Sequence, residues 1–277
     1  MYIGGGGASL DREKQIVMVY DPKRDSYDTL PPYTCKWFSM AIINNQLVLV
    51  GGRDVQTGKA TNQLGVWDEQ STLKRWTQPL PPMTTACYSP SVATHNNRWL
   101  VVMGGFGDKT RLSRVEILDT DLTQWYHAAL LPQAFSQSLP AIIGNMCYLL
   151  GGYTEKGVAS NKVFSVYLDE LISQAVSQPA SASAPPTPSP WQSLPDTPLT
   201  YSTALAFNGA LLAVGGSLMG SRAIYHYQPS SRSWVEAGEL PTGRCHCTCT
   251  VLPSGDLYVA GGGAYGTEQR VDIASVQ

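Results

Sequence analysis

This 277-residue sequence predicts an all-β fold, a six-bladed β-propeller with about four antiparallel strands in each blade. Three observations predict it. A glycine doublet follows a short apolar run six times: MYIGG at Met1–Gly5, LVLVGG ending at Gly52, LVVMGG ending at Gly105, CYLLGG ending at Gly152, LLAVGG ending at Gly216 and LYVAGG ending at Gly262. The first glycines lie 47, 53, 47, 64 and 46 residues apart, a period that marks stacked repeats. An aromatic then recurs in each unit (Tyr27, Trp76, Trp125, Trp191, Trp234), and a Leu-Pro pair follows it at Leu30, Leu80, Leu131, Leu194 and Leu240.

Each unit reads as four strands in order. Strand a is a run of small and apolar residues ending at a turn such as Asn44-Asn45 or Asn208-Gly209. Strand b runs into the glycine doublet. Strand c ends in an aromatic or acidic pair: MVYD at Met18–Asp21, GVWD at Gly65–Asp68, EILD at Glu116–Asp119, SVYLD at Ser165–Asp169, YHYQ at Tyr225–Gln228 and RVDI at Arg270–Ile273. Strand d carries the recurring aromatic. Short runs rich in Val, Ile, Tyr and Trp, split by Gly, Pro, Asn and Asp, are strands. Strands a and b are often apolar throughout, so both faces of each sheet are buried. One sheet cannot cover two faces, but stacked neighbours can, and a closed ring protects the ends of the stack. The doublets let neighbouring backbones approach where a Cβ would collide.

In its doublets, its acidic strand ends and the aromatic that follows, as from Asp119 to Trp125, the sequence resembles the kelch-repeat family. The resemblance covers nearly the whole chain except about residues 171–190. It implies a kelch propeller within an intracellular, multidomain protein. It says little about activity, because one fold hosts many.

The strand count falls short of six full blades. The first unit begins at strand b and the last stops after strand c. The missing d and a strands would be neighbours in a closed ring. The first and last blades are therefore expected to be incomplete, with a weak seam between them, as in a fragment of a longer parent. One domain is expected over residues 1–277, with a disordered Ser/Ala/Pro-rich insertion at 173–190 between strands c and d of blade four. Leu168–Val176 could form a short helix before it. A tolerated surface loop and a Pro-rich ligand are both open readings of the insertion.

Charged residues are only 14%, and 19 basic against 21 acidic residues leave a net charge of −2. Without clustered Lys and Arg, a nucleic-acid partner is not expected. No apolar stretch approaches the roughly 18 residues of a membrane span. The opening MYIGGGGASLDREK has neither the charged head nor the apolar run of a signal peptide. Six cysteines in a chain this long do not form a stapling framework. A reducing, cytoplasmic location follows as the expectation.

Candidate chemistry is sparse. Gly261–Gly266 matches G-x-G-x-x-G after a strand, but no helix start follows to aim a dipole at a pyrophosphate, so no cofactor is expected. Cys245, Cys247 and Cys249 alternate along strand a of blade six and would share one face. Their spacing does not suit zinc, whereas small buried hydrophobes suit that position. His95, His127 and His226 show no ligand spacing. No nucleophile elbow or paired-acid motif is present, so no catalytic or metal residues are assigned and an enzyme is not expected.

A binding surface remains. In a four-stranded blade the b–c and d–a loops share one rim, and the family resemblance implies that this rim binds peptides. Its candidate partner-binding residues are Arg53, Phe106, Lys109, Tyr153, Arg222 and Tyr265 from b–c loops. Tyr33, Trp37, Tyr88, Phe135, Tyr201 and Arg244 come from d–a loops. Aromatics and arginines suit interface hot spots. Arg53, Arg111, Arg222 and Arg244 are interleaved with acids, which argues against a strongly acidic ligand. The expected function is a non-catalytic protein-interaction domain, a scaffold or substrate-recognition module docking a protein or peptide. A ubiquitin-ligase adaptor role rests on analogy. The alternative is a kelch-type enzyme acting on a small molecule or sugar in the central channel.

Overall fold

The structure, a computed structural model, describes residues 2–4, 17–21, 24, 26–69, 74–178, 188–217, 220–252, 255–262 and 271–274. The chain folds into a succession of antiparallel sheets whose strands keep chain order from one edge to the other. The first sheet has three strands, Tyr2–Gly4, Val17–Asp21 and Ser26–Thr29. The second has Ser39–Ile43, Gln46–Val50, Leu64–Asp68 and Arg75–Thr77. The third has Ser91–His95, Trp99–Met103, Val115–Asp119 and Gln124–His127. The fourth has Leu139–Ile143, Met146–Leu150, Val163–Tyr167 and Gln192–Leu194. The fifth has Thr203–Phe207, Ala210–Val214, Ser221–Gln228 and Ser233–Arg244. The sixth has three, Thr248–Val251, Leu257–Ala260 and Val271–Ala274. Among the described residues, four sheets thus carry the four strands expected of a full blade, and not six.

The core lies between the sheets. Along strand b of the third sheet, Leu100 and Val102 pack toward Val48 and Val50 of the second. Val101 and Met103, on the other face, pack with Cys147 and Leu149 of the fourth. The two-residue period of a strand sends successive side chains to opposite faces, so an unbroken apolar run feeds two cores.

Backbone contacts tie the sheets together at the doublets. A Cβ on Gly104 would stand 2.5 Å from the carbonyl oxygen of Phe135 in the next sheet's approach, and one on Gly215 2.6 Å from that of Arg244. Both glycines have φ above +60°, a region that a Cβ disfavours. In three of the pairs the second glycine donates its N–H across the joint: Gly52 to the Cys87 carbonyl at 2.9 Å, Gly105 to Phe135 and Gly216 to Arg244, both at 2.7 Å. A hydroxyl at the start of strand a repeats the link. Ser39 donates to the Pro90 carbonyl, Ser91 to Ser138 and Thr203 to Cys247, each at 2.5 Å. The indoles of strand d reach back instead. Trp76, Trp125 and Trp234 donate to the carbonyls of Pro31, Pro81 and Pro195 in the preceding linker, at 2.8, 3.0 and 3.0 Å. This accounts for the recurrence of the aromatic with the Leu-Pro pair.

The fourth sheet departs from the pattern. Its strand c ends at Tyr167, not at Asp169, and helix α1 (Leu168–Val176) follows. Leu168, Leu171, Ile172 and Ala175 form the helix's buried stripe and join Ala128, Ala129 and Trp191 in the core. Residues 173–176 of the expected disordered insertion therefore belong to an ordered helix, because Ala175 completes that stripe. Residues 179–187 of the insertion lie outside the described residues. Asp169 meets His95 of the third sheet (2.7 Å) and Asn145 (2.6 Å) rather than closing a c–d turn. In the third sheet the matching Asp119 does close its turn, accepting from the Asp121 and Leu122 amides and from Arg98.

Among the described residues, the first and sixth sheets touch through side chains. Tyr258 stacks on Tyr20 at 5.5 Å, and its hydroxyl lies 3.1 Å from that of Tyr27.

Candidate functional site

The d–a turns and b–c loops are zipped together along one rim. Cys35–Lys36, ahead of the second sheet, pairs with Arg53–Asp54 of that sheet's b–c loop. Phe135–Ser136 pairs with Tyr153–Thr154 in the same way, and Tyr88 bridges Phe106. These short ribbons fix the loops against the ring, so the side chains on them are held in place.

An arc of aromatic and cationic side chains follows that rim. Trp37 lies 5.4 Å from Tyr88, and Tyr88 lies 5.1 Å from Phe106. Lys36 and Arg53 sit over the Trp37 ring at 4.9 and 5.7 Å. The Arg111 guanidinium spans Phe106 at 5.0 Å and Tyr153 at 5.4 Å. Beyond it Tyr153, Tyr201 and His246 form a second cluster. Tyr153 and Tyr201 are 5.2 Å apart, Tyr201 and His246 4.6 Å, and the Tyr153 hydroxyl lies 3.2 Å from His246 Nε2. Cations over ring faces are held by the ring quadrupole. None of these six rings belongs to the hydrophobic clusters between the sheets. Trp37 is 39% exposed.

The charges on the rim are not equally free. Asp54 accepts the Gln56 and Thr57 amides and the Thr57 hydroxyl within its own turn, and the Thr57 amide above all holds its carboxyl below the usual range. Asp108 accepts the Ala60 amide at 2.8 Å. Among the described residues neither Arg53 nor Arg111 forms an ion pair. Their hydrogen bonds go to the Gly58 carbonyl and the Ser136 hydroxyl. Burial lowers the His246 pKa below the ordinary histidine value.

Of the residues expected on the rim, Arg53, Trp37, Tyr88, Phe106, Tyr153 and Tyr201 come together in the arc. Lys109 and Arg222 are exposed, and Arg222 pairs with Glu239 at 3.0 Å. Three others are corrected. Tyr33 is 7% exposed and packs on Gly65, where a Cβ would stand 2.5 Å from the ring. Phe135 is 2% exposed and packs against Phe164 inside the core, with the two rings tilted by 50°. Arg244 is 2% exposed, with Nη1 donating to the Gly261 carbonyl at 2.7 Å. Tyr265 lies outside the described residues, as does most of the Gly261–Gly266 motif. Arg111 and His246, both in loops that the sequence assigns to this rim though outside the twelve candidates, join them in the arc.

Cys245, Cys247 and Cys249 do not alternate along one strand. The strand begins at Thr248, and His246 at φ 55° turns the chain before it. All six cysteines are free. Among the described residues no group of three His, Cys, Asp or Glu is placed to hold a metal ion, and no helix is long and apolar enough to cross a membrane.

Residues 37–262 match the profile described as the KLHDC2/KLHL20/DRC7 Kelch-repeats domain. Kelch-like protein 35 of Mus musculus is 26% identical over 246 residues, which are 84% of this chain and 36% of that protein. Kelch-like protein 25 of Xenopus tropicalis is 22% identical over 254 residues, 87% of this chain and 39% of that protein. The chain thus spans little more than a third of these relatives. The solved structure of YjhT superposes on 100% of this chain and 91% of its own with a TM-score of 0.76, at 15% identity, which speaks to fold alone. With the doublets, the antiparallel sheets and the profile in agreement, the chain belongs to the kelch-repeats family and folds as an all-β, kelch-type propeller.

Proposed function

We propose that this chain is a non-catalytic docking domain that binds a protein or peptide on the rim of d–a turns and b–c loops. In this reading the ring has six blades, with the two three-stranded sheets as its first and last, and the domain spans residues 1–277. The observation that carries it is the arc from Trp37 to His246: ordered rings and cations that the inter-sheet cores do not use. Rigid aromatics and arginines bury much area at small entropy loss, as hot spots do. The contact set is Trp37, Arg53, Tyr88, Phe106, Arg111, Tyr153, Tyr201 and His246, with Lys109 and Arg222 at its margin. The kelch-like relatives support a scaffold or substrate-recognition role in a larger protein. Six free cysteines suit a reducing compartment such as the cytoplasm. The channel enzyme is the weaker reading. On the first strands of the second to fifth sheets, Met40, Val92, Ile142 and Ala206 pack against the inter-sheet cores, and His95 is engaged by Asp169.

Capture of partners by the wild-type chain, by Tyr153→Ala and by Asn208→Ala on the opposite rim tests this. Partners lost with Tyr153→Ala and kept with Asn208→Ala are expected. Partners retained by both variants would refute rim docking.

A further inference from the structure

Every described d–a turn places one residue in the left-handed region: Trp37 (φ 57°), Ser89 (49°), Gln137 (60°), Tyr201 (59°) and His246 (55°). A Cβ makes this region unfavourable, and bulky side chains rarely adopt it. At its a–b turns the same chain meets the same demand with Asn44, Asn45, Asn96, Asn97, Gly144, Asn208 and Gly209. The d–a turns use neither glycine nor asparagine, although both would relieve the strain. Backbone strain kept at equivalent points of a ring is a mark of function when the side chains it carries do not serve the fold. Here they do not, since Trp37, Tyr201 and His246 make their ring contacts with Tyr88 and Tyr153, outside the inter-sheet cores. Three of the positions are also linked to one another by backbone hydrogen bonds. The Ser89 amide donates to the Trp37 carbonyl at 2.6 Å, and the Gln137 amide to the Ser89 carbonyl at 3.0 Å.

We propose that these five left-handed residues are the specificity-determining positions of the docking rim. Their ligand is an internal, extended peptide segment with one carboxylate side chain between two apolar side chains. This rests on the rim-docking reading. The arc supplies two aromatic lobes, Trp37–Tyr88–Phe106 and Tyr153–Tyr201–His246, each a platform for an apolar side chain. Arg111 stands between the lobes with no carboxylate partner among the described residues, while Asp54 and Asp108 are spent on backbone amides. One guanidinium between the two lobes, bonded to the Ser136 hydroxyl but to no carboxylate among the described residues, fits one anion, not an acidic run. Ser89 and Gln137 are the polar members of the set, with Gln137 exposed, and their side chains can both donate to and accept from a peptide backbone.

The test is to pan the wild-type chain against a phage-displayed random-peptide library. Affinities of the enriched peptides are then measured for wild type, Trp37→Gly, Tyr201→Gly, His246→Gly and Arg111→Gln, with thermal unfolding of each. Enriched peptides should share an acidic residue flanked by apolar ones. Each glycine variant should melt at or above the wild-type temperature, since glycine is at ease at positive φ, yet bind about tenfold more weakly or worse. Arg111→Gln should abolish the preference for the acidic peptide over its amide counterpart. Glycine variants that melt well below wild type would show that these side chains serve the fold, and variants that bind as wild type would show that they do not read the ligand. Either result, or enrichment of basic peptides, overturns this inference and leaves rim docking standing. A library that enriches no peptide at all overturns rim docking and the inference with it.

Discussion

Among the described residues, the joints between consecutive sheets and the seam between the sixth sheet and the first show different contacts. At the second–third and third–fourth joints, backbone meets backbone. A glycine N–H and a Ser hydroxyl each reach a carbonyl of the neighbour, and a Cβ on Gly104 would collide with that neighbour at 2.5 Å. At the seam, the described contacts are phenol rings: Tyr258 on Tyr20, with one hydroxyl pair to Tyr27. Directional backbone contacts are intolerant of added atoms, whereas stacked rings slide and still pack. The fourth–fifth joint lies between the extremes. Leu139 replaces the hydroxyl, and a Cβ on Gly151 would stand 3.4 Å from the Ser202 carbonyl. Loss of one polar clasp and a wider approach go together there.

The largest effect should come from adding a methyl at a tight joint. Gly104 and Gly151 share a left-handed φ (64° and 67°), so alanine strains both backbones alike and only the collision differs. Gly104→Ala should destabilise by about 3 kcal/mol or more, and Gly151→Ala by about 1–2 kcal/mol. Denaturant unfolding measures both, and equal losses would break the comparison. Next comes the hydroxyl clasp. Ser91→Ala leaves the buried Ser138 carbonyl without its donor and should cost about 1–2 kcal/mol. Tyr27→Phe at the half-exposed seam should cost under about 0.5 kcal/mol. Reversal of that order would show the seam to be the stronger contact.

Hydrogen exchange sharpens the same contrast. Amides of Val17–Asp21 and Leu257–Ala260 should exchange before those of Trp99–Met103, since a side-chain seam opens at lower free energy than a joint with backbone clasps. Uniform protection in the three strands would contradict it.

The smallest effects are in pH dependence. Hydrogen bonds from Arg98 hold the Asp119 carboxyl below its ordinary range, so its stabilising contribution is complete above the unfolded carboxylate value and is lost as pH falls through the depressed folded value. His246 has a folded pKa lowered by burial. Its contribution is complete above the unfolded histidine value of about 6.5 and is lost as pH falls through the lower folded value. Asp119→Asn should flatten the melting-temperature profile in the acid range, and His246→Gln only just below neutrality. A His246→Gln profile that matches wild type there would remove the histidine from the rim's titration.

The repeat architecture was legible because its signals are local and recur. The doublets, the Trp with its Leu-Pro and the four-strand rhythm each reflect one contact made again at every joint, as Trp76, Trp125 and Trp234 show. Helix α1 was expected over Leu168–Val176, and its stripe of Leu168, Leu171, Ile172 and Ala175 is buried. Rim membership was only half legible. Tyr33 and Trp37 stand four residues apart in one d–a loop, yet one ring fills the space left by Gly65 and the other faces outward. Arg53 and Arg244 are the same residue type on the same expected rim, yet one caps an aromatic arc and the other is buried against Gly261.

By itself, then, the sequence determined the sheet order, the joints and the apolar faces, because periodicity of two along a strand and of about fifty along the chain sets them. The tertiary structure alone decided which loop side chains are free to bind. That choice depends on the sign of φ at a single turn residue and on which partner, tens of residues away, leaves room for a ring. Neither quantity has a period in the chain, so neither leaves a pattern to read.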